Sequence, residues 1–116
     1  MINIAIIDQN DTYRKSLKTI LEQVEGFNVV LDSRDSFCLK DADDITIQVL
    51  LIDNSPGSVK CAEQIAEASK NHKFLKSLIL VMYKDELNMV FDETNVILKS
   101  ACKNEFVNRI KTLMVS

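Results

Sequence analysis

The chain has 116 residues, 47% of them hydrophobic and 27% charged, and a formal net charge of -3. That is enough for one domain around one core, and too apolar for a disordered chain. No run is long enough to span a membrane, no basic leader opens the chain, and the mild acidity disfavours binding to nucleic-acid phosphates. The cysteines, Cys38, Cys61 and Cys102, form no CxxC, and the only histidine is His72. Zinc ligation is therefore excluded, and the expectation is three reduced thiols in a cytoplasmic protein.

Ile2 to Ile7 is an apolar run that ends at Asp8, and it reads as a first strand. Asp11 or Thr12 is expected to cap the helix that follows. Tyr13, Leu17, Ile20, Leu21 and Val24 form its apolar stripe, while Arg14, Lys15, Lys18, Glu22 and Gln23 face water. Gly26 is expected to stop it. Phe27 to Leu31 is a second strand, and Ser36 to Leu39 reads as one helical turn. The acidic run Asp41 to Asp44 reads as a solvated loop rather than a metal site. Thr46 to Asn54 is a third strand, with so little polar alternation that both its faces must be buried; it ends in Asp53.

Pro56-Gly57 marks a turn. Ser58 to Ser69 has helical spacing at Ala62, Ile65, Ala66 and Ser69, and His72 sits in a polar segment as an exposed bystander. Ser77 to Val81 is a fourth strand. The segment after Lys84 is a short helix or a loop. Val96 to Leu98 is a fifth strand that ends at Lys99, and Lys103 to Val115 carries Phe106, Val107, Ile110, Leu113 and Met114 as a final amphipathic helix. Met82, Met89 and Met114 read as core filler, and Cys61 and Cys102 as buried, inert thiols.

Strands alternating with helices imply a parallel, doubly wound α/β sheet. With the strand order 2-1-3-4-5, strands one and three are neighbours at the switch point, where such sheets place their ligands. Asp8 and Asp53 then share a cleft, with Lys99 on the same rim. The repulsion between two adjacent carboxylates is relieved by a hard cation. Mg²⁺ fits, because it takes one or two carboxylates and keeps several waters. A carboxylate beside Mg²⁺ and a lysine is also a nucleophile for a phosphoryl group. The alternative is that Asp8 and Asp53 merely end strands and cap helices.

The segments Ile-Ala-Ile-Ile-Asp8-Gln9-Asn10-Asp11, Val-Leu-Leu-Ile-Asp53 with Pro56-Gly57, and Val-Ile-Leu-Lys99 resemble, in order and spacing, a response-regulator receiver domain of two-component signalling. The likeness covers nearly the whole chain, as a single receiver domain over residues 1–116 with no output domain in this chain. It implies a flavodoxin-like sheet. It makes Asp53 the phosphoacceptor, Lys99 the phosphate contact, and Asp8, Asp53 and the backbone carbonyl of Ser55 the metal contacts. It also implies a sensor histidine kinase or phosphotransfer protein as donor. A downstream protein would dock on the face of strand four, strand five and the last helix, with Leu87, Val90 and Phe91 as its apolar candidates. A homodimer is compatible with it; a membrane or direct nucleic-acid contact is not implied. Were the chain part of a longer regulator, a DNA-binding output domain would be expected.

The departures are specific. Gln9 stands where the family has a second acid, and Met82 where it has a threonine or serine whose hydroxyl follows the phosphoryl group. The family's strand-five aromatic is absent, its position falling near Val96; the family's proline after the lysine is Ser100, and the loop after Asp53 is one residue short. Two functions follow. One is an atypical receiver, not an enzyme beyond Mg²⁺-dependent self-phosphorylation and dephosphorylation at Asp53. The other is a phosphorylation-independent pseudo-receiver that acts purely by binding proteins. A small enzyme or ligand binder of the same fold would need a glycine-rich phosphate loop, and only Gly26 and Gly57 are present.

Overall fold

In a computed structural model of the chain, residues 1–39, 45–54, 58–83 and 95–115 are described. The strands are β1 (Ile2–Ile7), β2 (Phe27–Ser33), β3 (Val49–Asp53), β4 (Lys76–Val81) and β5 (Val96–Leu98). The helices are α1 (Asp11–Glu22), α2 (Ser58–Asn71) and α3 (Lys103–Val115), and Ser36–Leu39 forms a short 3-10 turn. All five strands pair in parallel in the order β2-β1-β3-β4-β5. This is the expected doubly wound order, with its switch point between β1 and β3.

Alternate residues of the central strands feed two separate cores. Ile4, Ile6, Val49 and Leu51 pack with Leu17 and Leu21 of α1 and Phe106 and Ile110 of α3. Ala5, Ile7, Leu50 and Ile52 pack on the other face with Leu39, Cys61 and Ala68. Every residue of β3 is buried, the pattern required of a strand covered by helices on both sides.

Several local expectations are corrected. Asn10, not Asp11 or Thr12, caps α1, its side chain accepting from the Tyr13 N–H at 3.0 Å. The helix ends at Glu22, four residues before Gly26, whose φ of +90° instead turns the chain into β2. Arg14 does not face water. It is buried, in helical phase with Leu17 and Leu21, while Ile20 is 36% exposed. The buried positions of α2 are Cys61 and Ala68, with Ala62 and Ile65 half-buried and Ala66 and Ser69 exposed, and His72 continues the buried face just past the helix end. His72 is therefore buried, not an exposed bystander. Met82 is exposed, as is Cys102, so neither is core.

The Asp41 to Asp44 run, Ser55, the Pro56-Gly57 turn, the segment from Lys84 through Leu87, Met89, Val90 and Phe91, and the Cys38 side chain lie outside the described residues. No described helix is long and apolar enough to cross a membrane.

Candidate functional site

Three backbone hydrogen bonds extend the sheet just past its strands and fix the C-terminal rim. The N–H of Asp8 donates to Ser33 O at 3.0 Å, that of Asn54 to Leu80 O at 3.0 Å, and that of Lys99 to Val81 O at 2.8 Å. Ile7 pairs with Ile52, so the residues after them, Asp8 and Asp53, stand side by side. Both are almost fully buried, at 1% and 5% exposure. Lys99 reaches across the end of β4 to meet them. Its ammonium lies 2.8 Å from Asp53 Oδ1 and 2.9 Å from Asp8 Oδ2. Asp8 Oδ1 also accepts the backbone N–H of Asn10 at 2.8 Å. Asp53 Oδ2 is buried and meets no hydrogen-bond donor among the described residues, and Asp8 Oδ2, also buried, meets the Lys99 ammonium as an ion pair without a well-directed hydrogen bond.

The electrostatics follow from this packing. Burial pushes the Lys99 ammonium toward deprotonation, but hydrogen bonding and charge from Asp53 and then Asp8 outweigh it, and its pKa ends above the ordinary value. Tyr13 titrates above its usual range, first because it is desolvated, then because Asp8 and Asp53 repel a phenolate. The Cys61 thiol is pushed up to about 12 by burial and, second, by Asp53.

Beside the acid pair opens a cleft of about 510 Å³, lined in part by Asp8, Gln9 and Asp53. Arg34 and Ser36 after β2, and Lys60, Gln64 and Glu67 of α2, form its walls. A buried carboxylate oxygen without a donor, on a residue that lines a cleft, is a place for a cation or a reacting group.

No family profile matches the sequence, and no curated protein matches it. Solved structures do. A response regulator from Thermotoga maritima superposes with a TM-score of 0.81 over 100% of this chain and 99% of its own, at 18% identity. The isolated REC domain of RcsB from Salmonella enterica serovar Typhimurium, in the presence of phosphomimetic BeF3-, gives 0.78 over 99% of this chain and 89% of its own, at 23% identity. The signal receiver domain of the putative response regulator NarL from Mycobacterium tuberculosis gives 0.74 over 96% and 94%, at 18% identity.

The fold is that of a response-regulator receiver domain. The chain spans 62% of a longer RcsB chain from Salmonella typhimurium, at 23% identity. At these identities the likeness speaks for the fold alone, and the chemistry must be argued from the residues.

Within this receiver fold the structure brings together three of the residues that the sequence singles out: Asp8, Asp53 and Lys99. Gln9 lines the same cleft but is exposed, so its amide brings no charge to the acid pair. Asp11, the other nearby acid, is engaged elsewhere, 2.8 Å from Arg14 Nη1 and 3.7 Å from Arg34 Nε. Met82 lies beyond the end of β4 with more than half its surface exposed, and no hydroxyl stands in its place. Val96 is buried against the α2 face.

Sequence reasoning missed three supporting residues. Arg14 donates to the main-chain oxygen of Asp8 at 2.7 Å from a buried position, and its Nε lies 3.4 Å from Asp32. Asn10 ties α1 to Asp8. Tyr13 donates its hydroxyl to Lys99 O at 3.1 Å. The signal for Arg14 was its helical phase with Leu17 and Leu21. The two contacts from Asn10 and Tyr13 left no trace in periodicity.

Proposed function

We propose that this chain is an atypical signalling receiver that accepts a phosphoryl group on Asp53 and acts through contacts with other proteins. The observation that carries this is the Asp53 carboxylate. One oxygen is held by Lys99, the other is buried without a donor among the described residues, and the residue lines a cleft. That oxygen attacks the phosphorus of a donor. The new O–P bond forms as the bond to the donor's leaving group breaks, and the leaving group departs with the electron pair. Lys99 keeps its hold on the acid and faces the charge that arrives.

Asp8 and Asp53 form a donor set that suits Mg²⁺, two carboxylates with room for retained waters. Among the described residues they make no three-ligand cluster that would hold a metal by itself. When bound there, Mg²⁺ would neutralise charge on the transferring oxygens. The donor would be a sensor histidine kinase or a phosphotransfer protein, and the free thiols of Cys61 and Cys102 suit a cytoplasmic setting. The output partner would dock on β4, β5 and α3.

A second reading, a binding module without phosphorylation, rests on the ammonium of Lys99. It bridges both acids and offsets one of their two charges, while Gln9 and Met82 withhold the remaining family chemistry. Intact mass after incubation with a small phosphodonor, with and without Mg²⁺, separates the two. A Mg²⁺-dependent phosphate adduct that is lost in Asp53→Ala is expected. No adduct, under conditions that label an ordinary receiver, refutes phosphoryl acceptance and leaves the binding module.

A further inference from the structure

Tyr13 belongs to no part of the acid pair, yet it touches the lysine that holds the pair together. Its hydroxyl donates to the main-chain oxygen of Lys99 at 3.1 Å, across 86 residues of sequence. The Lys99 ammonium also lies 5.2 Å from the centre of the Tyr13 ring, within range for attraction to the ring's negative face. The peptide N–H of Lys99 is fixed separately to Val81 O at 2.8 Å. Lys99 is thus pinned from β4 on one side and from α1 on the other.

Tyr13 is itself placed by the acid site. Its backbone N–H donates to the Asn10 side chain at 3.0 Å, and the N–H of Asn10 donates to Asp8 Oδ1 at 2.8 Å. Lys99 Nζ closes the circuit on Asp8 Oδ2 at 2.9 Å. The ring runs Asp8, Asn10, Tyr13, Lys99 and back to Asp8. The apolar side of the tyrosine packs against the core shared by α1 and α3. A long, flexible lysine loses much rotamer freedom when held in one place, and a fixed carbonyl plus an aromatic wall limit where its head can go.

We propose that Tyr13 is a positioning residue for Lys99, holding its ammonium on Asp8 and Asp53 through the hydroxyl-to-carbonyl bond and the ring face. The positioning claim stands on these contacts; its consequence for phosphoryl acceptance rests on the function proposed above. In a chain with Met82 in place of a hydroxyl residue, α1 supplies a side chain that touches the lysine.

The test is competitive acylation of the folded full-length chain with trace acetic anhydride, read lysine by lysine by peptide mass spectrometry. The other lysines of the same molecule serve as internal references. In Tyr13→Leu, which loses both contacts, Lys99 labelling is expected to rise about tenfold over the reference lysines, the size of effect that about 1.4 kcal/mol of lost contact produces. In Tyr13→Phe, which keeps the ring, the rise is expected to be about two- to threefold, with most of the protection retained. Should all lysines of Tyr13→Leu rise together through poor folding, Tyr13→Phe decides alone. No selective rise at Lys99 in a folded variant overturns the proposal. The same variants are then treated with the small phosphodonor. Slower adduct formation in Tyr13→Leu than in Tyr13→Phe is expected. If the wild type forms no adduct, phosphoryl acceptance fails while the acylation result still judges the role of Tyr13.

Discussion

Replacing Lys99 by methionine keeps much of its apolar stem and removes only the charge. In the wild type the ammonium sits 2.8 and 2.9 Å from two carboxylates whose side chains are 5% and 0% exposed. Taking one partner from a buried ionic cluster costs about 3–5 kcal/mol, because the charges left behind are neither solvated nor paired. Asp8 would keep the Asn10 N–H, but Asp53 would keep no donor among the described residues. The loss is therefore expected near 4 kcal/mol, roughly the middle of that range, out of a total stability of about 5–15 kcal/mol. With a urea dependence of about 2 kcal/mol per molar, the unfolding midpoint of Lys99→Met should fall by about 2 M at neutral pH. Adding Asp8→Asn to the variant should restore part of it, since one of two like charges is gone. Millimolar Mg²⁺ should raise the midpoint of Lys99→Met more than that of the wild type. The pH dependence has a definite sign. The Lys99 pKa is raised above its ordinary 10.5, so its contribution is complete below that value and is lost as pH rises through the folded value. Wild-type stability should therefore fall in the alkaline range, where Lys99→Met shows a smaller fall. A Lys99→Met midpoint within about 0.5 M of wild type would mean that the acids are neutralised by something other than this ammonium.

Arg14→Met should cost about 2–3 kcal/mol in urea unfolding, since a buried charged donor leaves the Asp8 carbonyl unbonded, whereas Lys15→Met on the exposed side of α1 should change little. His72→Leu should be neutral or slightly stabilising, because the imidazole sits on an apolar stripe with Nε2 unpartnered among the described residues; a loss above about 2 kcal/mol would show that the ring makes an essential polar contact. Iodoacetamide at pH 8 should modify Cys102 in the native protein and spare Cys61, whose thiol is buried and pushed up to about 12, until denaturant is added; peptide mapping reads each site, and native modification of Cys61 would contradict its burial.

The sheet order and the pairing of Asp8 with Asp53 were legible because a buried parallel strand writes an uninterrupted apolar run, and such runs end abruptly where the ligand rim begins. Lys99 was legible for the same reason. What was not legible lay off the strands. Arg14 reads as a surface residue by chemical type, and only its phase with Leu17 and Leu21 places it inside, where the Asp8 carbonyl and Asp32 compensate its charge. His72 was misplaced because its sequence neighbours are polar, although it falls eleven residues after Cys61 on the same helical face. Helix α1 was given the wrong cap because Asn10, Asp11 and Thr12 are all competent, and the choice was made by the contact of Asn10 with Asp8. The hydroxyl of Tyr13 meets Lys99 only after β5 has docked, a contact that no local window contains.

That late meeting bears on how the chain acquires its structure. Asp8 and Asp53 are brought together as soon as β1 and β3 pair, but Lys99 lies 46 residues further on (99 − 53). At ribosomal speeds of about 5–20 residues per second, roughly 2–9 s separate the synthesis of the second carboxylate from that of the ammonium that neutralises it. A nascent chain that closed β1 on β3 in that interval would trap two like charges away from water. The acid pair is thus expected to disfavour early closure of the amino-terminal half until β5 brings its lysine, so that a chain truncated before β5 should pair β1 with β3 more readily as Asp8→Asn than as wild type.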